Sequence, residues 1–414
     1  MEEKKIGYKD VFSQKEYCKL IVANLISRFG DSIDAIAFTW LIYQVTGSAA
    51  WSAIIFAVNQ LPSVIVQPFA GALVENMNKK KLMVITDLIR AVVVVCLALA
   101  LMKDMVTPMF LVIFTIIIST VEAFRMPAGM AVIPKLIDEK YYAHATGLNS
   151  TLSTIVQLIG MGAGGVIIGV IGMSGAIAID AATFLFSGLI IMLIKVKEDK
   201  TEKKEIDIKG YFETLKAGVD YIKTQPVIRN FVIMGALVNA VIVPINALQS
   251  PLTSEVLGQG STLLSVFGIA MVLGMGIGSF VYPMLGDKIR TLTVICTCGA
   301  TVGITMAAYT IGSLFKQHVI AIYFFTAVLS VIIGFAASMF SSCLSVQFMK
   351  VVEADYLARV GAIFNAAACA ATPVASFAIS ASLGVVSTAN LLILGGVLCV
   401  IIFIVITIKK VRFE

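Results

Sequence analysis

Three charged side chains, Arg28, Asp31 and Asp34, occur within seven residues of an apolar run near the N-terminus. An ionisable group inside a membrane-spanning helix costs about 2.5–3.5 kcal/mol on insertion scales, so it usually faces a partner or a water-filled cavity. At the helical period of 3.6 residues, these side chains share one face with Asn24 and Phe38. This polar stripe predicts a site for ion pairs or for a mobile proton.

A second polar stripe occurs in the fourth apolar run, where Ser119, Glu122 and Arg125 share a face. The two stripes together hold three acids against two arginines, which leaves one acid in excess. An unpaired buried carboxylate binds a proton more readily than an ion-paired one. We expect Asp34 or Glu122 to carry that proton.

The remaining charges of the two stripes have simpler expected roles. Arg28 and Asp31 are spaced i,i+3, so we expect them to form an ion pair, with Arg125 as a further counter-ion. The alternative is that all five charges form a static, paired network that fixes helix packing. The sequence leaves both interpretations open.

The composition is that of an integral membrane protein. The 414 residues are 59% hydrophobic and 14% charged, with a mean hydropathy of +0.96, whereas soluble domains carry about 25% charged residues. The net charge of +6 arises from basic loops and does not indicate nucleic-acid binding. The seven cysteines are scattered and the chain has two histidines, so we predict no metal site and no cofactor.

Twelve apolar runs can be read along the chain, which predicts an all-α membrane protein of twelve transmembrane helices. The runs lie at residues 20–43, 51–73, 82–102, 108–128, 145–171, 175–195, 229–252, 261–285, 292–314, 319–344, 360–383 and 388–408. Of the 31 lysines and arginines, 27 fall on one side of this predicted membrane. That bias places both termini in the cytoplasm.

The one long polar connection, residues 196–228, divides the chain into halves. We predict a six-helix half at 1–195, a cytoplasmic linker with an amphipathic surface helix, and a six-helix half at 229–414. The apolar positions of the surface helix are Tyr211, Phe212, Leu215, Val219 and Ile222. Short similarities at offsets of 212 and 215 residues indicate a duplicated unit, which is typical of secondary transporters.

The second half offers neutral polar groups, and the runs contain further isolated features. We expect a polar surface for substrate or for helix–helix hydrogen bonds at Asn239, Asn246, Gln249 and Ser341. Asp180, in the sixth run, is expected to be structural and bonded to a neighbouring helix. Glu255, at the end of the seventh run, is expected to be solvated. Glycines of the fifth and eighth runs predict close helix packing.

One stretch, Gly71 to Lys81, resembles the signature loop of the major facilitator superfamily, Gly-x-Leu-x-Asp-Arg-x-Gly-Arg-Lys. Gly71, Leu73 and the basic pair match, while Glu75 replaces the expected Asp. The residues that the resemblance assigns to this gating element are Gly71, Leu73, Glu75, Lys79, Lys80, Asp87 and Arg90. Gly30-Asp31, Thr46-Gly47-Ser48 and Ala145-Thr146-Gly147-Leu148 further resemble the macrolide-efflux and enterobactin-exporter branch.

The resemblance implies two pseudo-symmetric six-helix halves and a central cavity lined by runs one, four, seven and ten. It implies a proton-coupled exporter of amphipathic small molecules in a bacterial plasma membrane, working as a monomer by alternating access. The alternative is an exporter or flippase of a lipid-like, siderophore or peptide substrate. No nucleophile–base–acid set and no phosphate-binding loop is visible, so we do not expect an enzyme.

Overall fold

The structure is a computed structural model that describes residues 8–66, 69–70, 73–74, 77–196, 219–285, 289–352 and 354–409. The described residues are almost entirely helical and contain no strand. The long helices are α1 Lys15–Thr46, α2 Ala49–Ile65, α3 Lys79–Met102, α4 Pro108–Val132, α5 Tyr142–Met192, α6 Pro226–Ala247, α7 Ser261–Leu285, α8 Thr291–Ala308, α9 Val319–Val351, α10 Ala354–Ser382 and α11 Thr388–Ile408.

These helices confirm the predicted all-α membrane fold. Within the described part, nine helical segments are long and apolar enough to cross a membrane. One of them, Thr151–Met192 of α5, has 42 residues, about twice the 20 that one crossing needs. Gly172, with φ 76° and ψ 175°, interrupts α5 between the two predicted runs. Counting α5 twice and adding α1 and α2 agrees with the predicted twelve crossings.

The helix ends follow local capping rules. The side chain of Asn78 accepts a hydrogen bond from the Lys81 amide at the start of α3. Thr107 caps α4 in the same way, and Pro108 occupies the first turn, where no amide donor is needed. Ser387 caps α11. Each cap satisfies an amide that the first turn of a helix leaves without a partner.

The chain divides into two compact units by its internal contacts. The first unit comprises Met1–Leu41 and Leu61–Ile206, and the second comprises Ile42–Gln60 and Asp207–Glu414. Residues 42–60 therefore group with the second unit, although they precede the linker in the chain. The predicted boundary at 196–228 stays a prediction, and Tyr211, Phe212 and Leu215 of its surface helix lie outside the described residues.

In the first unit, the apolar core lies at one end of the bundle, around Tyr17, Leu20, Met83 and Ile191. Its edge is fixed by Glu16, which accepts hydrogen bonds from the Lys19 ammonium at 2.8 Å and from the Lys195 amide at 2.6 Å. These two bonds lower the pKa of the Glu16 carboxyl. The contacts hold the beginning of α1 to the end of α5.

The core of the second unit is built from large side chains on several helices, namely Phe231, Phe267, Tyr309, Phe340 and Phe403. A smaller apolar cluster explains why residues 42–60 group with this unit. In it, Ala49 and Ala53 at the start of α2 pack with Val243 of α6 and Leu391 of α11.

Glu255 is exposed, as expected of a solvated side chain, and it is also bonded. It lies in a π-helical turn that follows α6. Its two carboxylate oxygens accept hydrogen bonds from the hydroxyls of Tyr43 at 3.0 Å and Thr388 at 2.6 Å. Lys316 donates to its backbone carbonyl at 3.3 Å. Glu255 therefore joins four segments of the second unit.

Close approach of α7 and α9 depends on glycine, as predicted for the eighth run. A methyl group at Gly274 would overlap the backbone of Val331, and one at Gly334 would overlap the carbonyl oxygen of Met271. Because backbone atoms cannot turn away, these positions exclude any larger residue. In the first unit, Gly160 of α5 likewise meets the Phe29 carbonyl of α1.

We predict that Gly334→Ala lowers the free energy of unfolding by about 1–3 kcal/mol, the usual cost of overpacking. The matched control is Gly276→Ala on α7, where an added methyl group meets nothing within 4 Å. Alanine favours a helix more than glycine does, so the control should lose no stability. Thermal unfolding of the two purified variants in detergent measures the difference. Equal stability of the two would contradict the packing described here.

Candidate functional site

Seven ionisable side chains of the first unit form what we call the charged cluster. They are Asp31, Asp34, Asp87, Arg90, Glu122, Arg125 and Asp180. Four helices supply them: α1, α3, α4 and α5. The members fall into two ion pairs and a group of acids around them.

Arg90 of α3 holds the first ion pair and is only 5% exposed. Its Nη2 donates to Oδ1 of Asp31 on α1 at 2.6 Å, and it lies 4.0 Å from Oε2 of Glu122 on α4. The guanidinium also lies 3.8 Å from the centre of the Phe184 ring of α5, within the range of a cation–π contact. One arginine therefore contacts three other helices.

Asp87 of α3 forms the second ion pair and is fully buried. Its Oδ1 accepts from Nε of Arg125 at 2.8 Å, and its Oδ2 accepts from the hydroxyl of Ser187 at 2.7 Å. Arg125 also donates to Oδ1 of Asn24 at 3.1 Å. A buried ion pair is stable when the remaining polar atoms are also bonded, and here both carboxylate oxygens are in use.

The expected pair of Arg28 and Asp31 is wrong. Asp31 bonds Arg90, while Arg28 is exposed and makes no ion pair within the described part of the chain. The i,i+3 spacing allows such a pair, but an exposed pair contributes at most about 1 kcal/mol. A buried guanidinium without a counter-ion costs far more, so the acid pairs with Arg90.

Asp34 and Glu122, the two acids expected to carry a proton, have different surroundings. Oδ1 of Asp34 is enclosed and has no hydrogen-bond partner among the residues that the structure describes. The Glu122 side chain is 47% exposed and only 4.0 Å from Arg90. Asp34 is thus the less satisfied of the two. Its role as the coupling residue stays a prediction.

Within the part of the chain that the structure describes, Asp180 does not bond a neighbouring helix, contrary to expectation. It is fully buried, and its hydrogen bond comes from Thr183 on its own helix, at a long 3.5 Å. Its Oδ2 is enclosed and has no partner among the described residues. Sequence reasoning treated Asp180 as remote from the charged cluster, and no spacing signal connects it to α1.

The predicted cavity residues of the first unit lie along the charged cluster. Phe38 of α1 packs on Phe114 of α4, with ring centres 5.2 Å apart. The Ser119 hydroxyl donates to the backbone carbonyl of Thr115 at 2.7 Å. The Phe38–Phe114 contact and the Asn24–Arg125 bond bring the polar stripes of α1 and α4 together, as the family resemblance implies.

The predicted cavity residues of the second unit have fewer contacts. Asn239 donates to the Gly235 carbonyl of its own helix at 2.9 Å. Asn246 and Gln249 are half-buried, and Ser341 is exposed. Substrate contact by these residues stays a prediction.

The signature loop is only partly described, because Gly71 and Glu75 lie outside the described residues. Leu73 is exposed, Lys79 is buried at the start of α3, and Lys80 follows it half-buried. Asp87 and Arg90 lie two and three turns further along α3, within the charged cluster. The family resemblance placed them in the third run as the pair that follows the signature loop, although charges inside an apolar run were themselves the signal for a site.

A bundle of apolar helices with ion pairs between its members is typical of proteins that move polar or charged species through a membrane. The fold and the charged cluster thus define the chain as an integral membrane transporter. More particularly, the chain belongs to the major facilitator superfamily, whose sequence profile matches residues 20–376. The predicted family resemblance is confirmed.

The relatives include efflux proteins. The chain is 22% identical over 350 residues to macrolide efflux protein A of Streptococcus pyogenes, covering 84% of each chain. It is 23% identical over 296 residues to the multidrug efflux pump Tap of Mycolicibacterium fortuitum, covering 69% of this chain and 71% of that one. Its fold is similar to a crystal structure of the nucleoside transporter NupG, with a TM-score of 0.74 at 12% identity and coverage of 95% and 99%.

We predict that Asp87→Asn lowers the free energy of unfolding by about 3–5 kcal/mol, because it leaves the Arg125 charge buried without a counter-ion. The control is Asp138→Asn, which removes an acid from an exposed pair with Lys140 and should cost at most about 1 kcal/mol. Denaturant unfolding in detergent micelles compares the two variants. A loss no larger for Asp87→Asn than for Asp138→Asn would refute the structural role of this pair.

Proposed function

We propose that the chain is a proton-coupled exporter of amphipathic small molecules, macrolides among them, that works by alternating access. The observation that carries the proposal is Asp34, an acid on the polar face of α1 with an enclosed, unpartnered oxygen. The low-identity similarity to macrolide and multidrug efflux proteins supports the substrate class. The distribution of lysine and arginine supports a cytoplasmic position for both termini.

The coupling follows from the cost of burying charge. An ionised carboxylate enclosed without a counter-ion is strongly disfavoured, whereas the neutral acid or a solvated carboxylate is not. A conformation that encloses Asp34 therefore favours the protonated acid, and one that opens it to water favours ionisation. Because proton binding differs between the two conformations, a proton gradient biases their equilibrium. Glu122, near Arg90 and half-exposed, is placed to exchange protons with water.

The proposed role of the substrate is to bind beside these acids in one conformation and leave from the other. Phe38 and Phe114 supply apolar surface next to the charged cluster, which suits a molecule with both apolar and cationic parts. Asn24 accepts a hydrogen bond from Arg125 between α1 and α4, and Ser119 bonds the Thr115 carbonyl within α4. We therefore assign them to the wall of the site.

We predict that Asp34→Asn abolishes proton-driven uptake of labelled erythromycin into inverted vesicles, and that Glu122→Gln slows it. Asn cannot lose a proton, so the gradient no longer favours one conformation. Counterflow exchange of erythromycin needs no proton gradient and should persist in Asp34→Asn. This persistence distinguishes loss of coupling from loss of folding.

The control variant is Asp220→Asn, which alters an exposed acid paired with Lys223 and should transport normally. Full proton-driven uptake by both Asp34→Asn and Glu122→Gln would refute the coupling assignment. Uptake of a peptide, siderophore or lysophospholipid, with none of any macrolide or other amphipathic drug in the panel, would refute the proposed substrate class.

A further inference from the structure

We propose that Asp34 of α1 and Asp180 of α5 form one proton site, in which two neighbouring carboxyl groups hold a single proton between them. Its contribution to transport rests on the proposed function above, but its existence does not. Neither the sequence pattern nor the family resemblance assigns Asp180 a part in proton binding.

α5 meets α1 at Gly30. Oδ1 of Asp180 and Oγ1 of Thr183 lie against the Cα of Gly30, so close that a methyl group there would overlap both atoms. Glycine at this position thus lets a buried carboxylate reach the backbone of α1. Any other residue would push Asp180 away.

The Asp34 side chain leans towards the turn of α1 that contains Gly30. Gly30 and Asp34 are four residues apart in α1 and so lie on one face, one turn from each other. Helical side chains lean towards the N-terminus and cover the preceding turn. The Asp34 carboxyl is therefore directed to the turn at which Asp180 approaches, and the two acids interact electrostatically.

Each of the two acids has an oxygen with no hydrogen-bond partner in the described part of the chain. Oδ1 of Asp34 and Oδ2 of Asp180 are both enclosed and unbonded. A buried acceptor without a donor costs about 1–3 kcal/mol, and more when it is charged. A proton on one of the two acids removes its charge and provides the donor that the other lacks.

The acids around Asp34 and Asp180 outnumber the positive charges available to them. Asp31 on α1 and Arg90 on α3 are the other charged groups that face Asp180. Arg90 is already bound to Asp31 at 2.6 Å and is also close to Glu122. One guanidinium cannot neutralise Asp31, Asp34 and Asp180 together. Two like charges in one buried site cannot both ionise, so such a pair retains a proton.

A purely structural role for Asp180 is less consistent with these contacts. A buried acid that ties helices together has a donor on another helix, as Asp87 has in Arg125. The donor to Asp180 is Thr183 on the same helix, at 3.5 Å. The space that Gly30 leaves is filled by the Thr183 hydroxyl and the Asp180 carboxylate, one helical turn from Asp34.

The test is infrared spectroscopy of the full chain in detergent, without substrate or proton gradient. A protonated carboxyl group has a C=O stretching band that a carboxylate lacks. We expect wild type at neutral pH to show one buried protonated carboxyl group that Asp34→Asn or Asp180→Asn alters. In each variant the titration midpoint of the remaining acid should move by about one pH unit or more, as coupling requires.

Two further variants complete the design. Asp220→Asn, at an exposed acid, should leave the band and its pH dependence unchanged. Gly30→Ala keeps both acids but separates them, so it should shift the titration as the two Asn variants do. Two independent protonated groups in wild type, or none, would overturn the proposal, as would unmoved midpoints in both Asn variants. The number of buried protonated carboxyl groups in wild type is measured without a variant and without transport. It therefore tests this proposal separately from the proposed function.

Discussion

The first unit depends on how one buried guanidinium, that of Arg90, is shared among several acids. Its ion pair with Asp31, its distance of 4.0 Å from Glu122 and its contact with the Phe184 ring connect α3 to α1, α4 and α5. In a low-dielectric interior a charge must be matched or neutralised. Since Arg90 satisfies one acid fully and Arg125 neutralises Asp87, the remaining acids of the charged cluster must ionise in water or keep a proton.

The backbone geometry is adapted to this shortage of positive charge. Gly30 brings Asp180 against α1, and Gly160 brings α5 against the backbone carbonyl of Phe29, the residue before Gly30. Small residues in membrane helices are usually explained by packing alone. In α1 they also determine which ionisable groups become neighbours, so the glycine positions and the charged positions form one arrangement.

The fold was largely predictable because membrane spans depend on long, continuous apolar runs, and the helices begin and end near the predicted limits. The polar face of α1 was predictable for a similar reason, since helical periodicity places Asn24, Asp31 and Asp34 together. The ion-pair partners of these residues were not predictable. The sequence pairs Arg28 with Asp31 by local spacing, while the structure pairs Asp31 with Arg90, 59 residues away. No local pattern encodes contacts between helices, and Asp180 was missed for the same reason.

The two ion pairs differ in a way that bears on how the charged cluster can change. Asp87 is fully buried and uses both oxygens, so breaking its pair with Arg125 leaves two buried charges in contact only with the neutral groups of Ser187 and Asn24. Asp31 is partly exposed, and Arg90 has Glu122 close by as a second acceptor. Exchange of partners at Arg90 therefore costs less than at Arg125. Protonation of any acid around Arg90 changes which exchange is favoured, whereas the Asp87–Arg125 pair holds α3 to α4 more firmly.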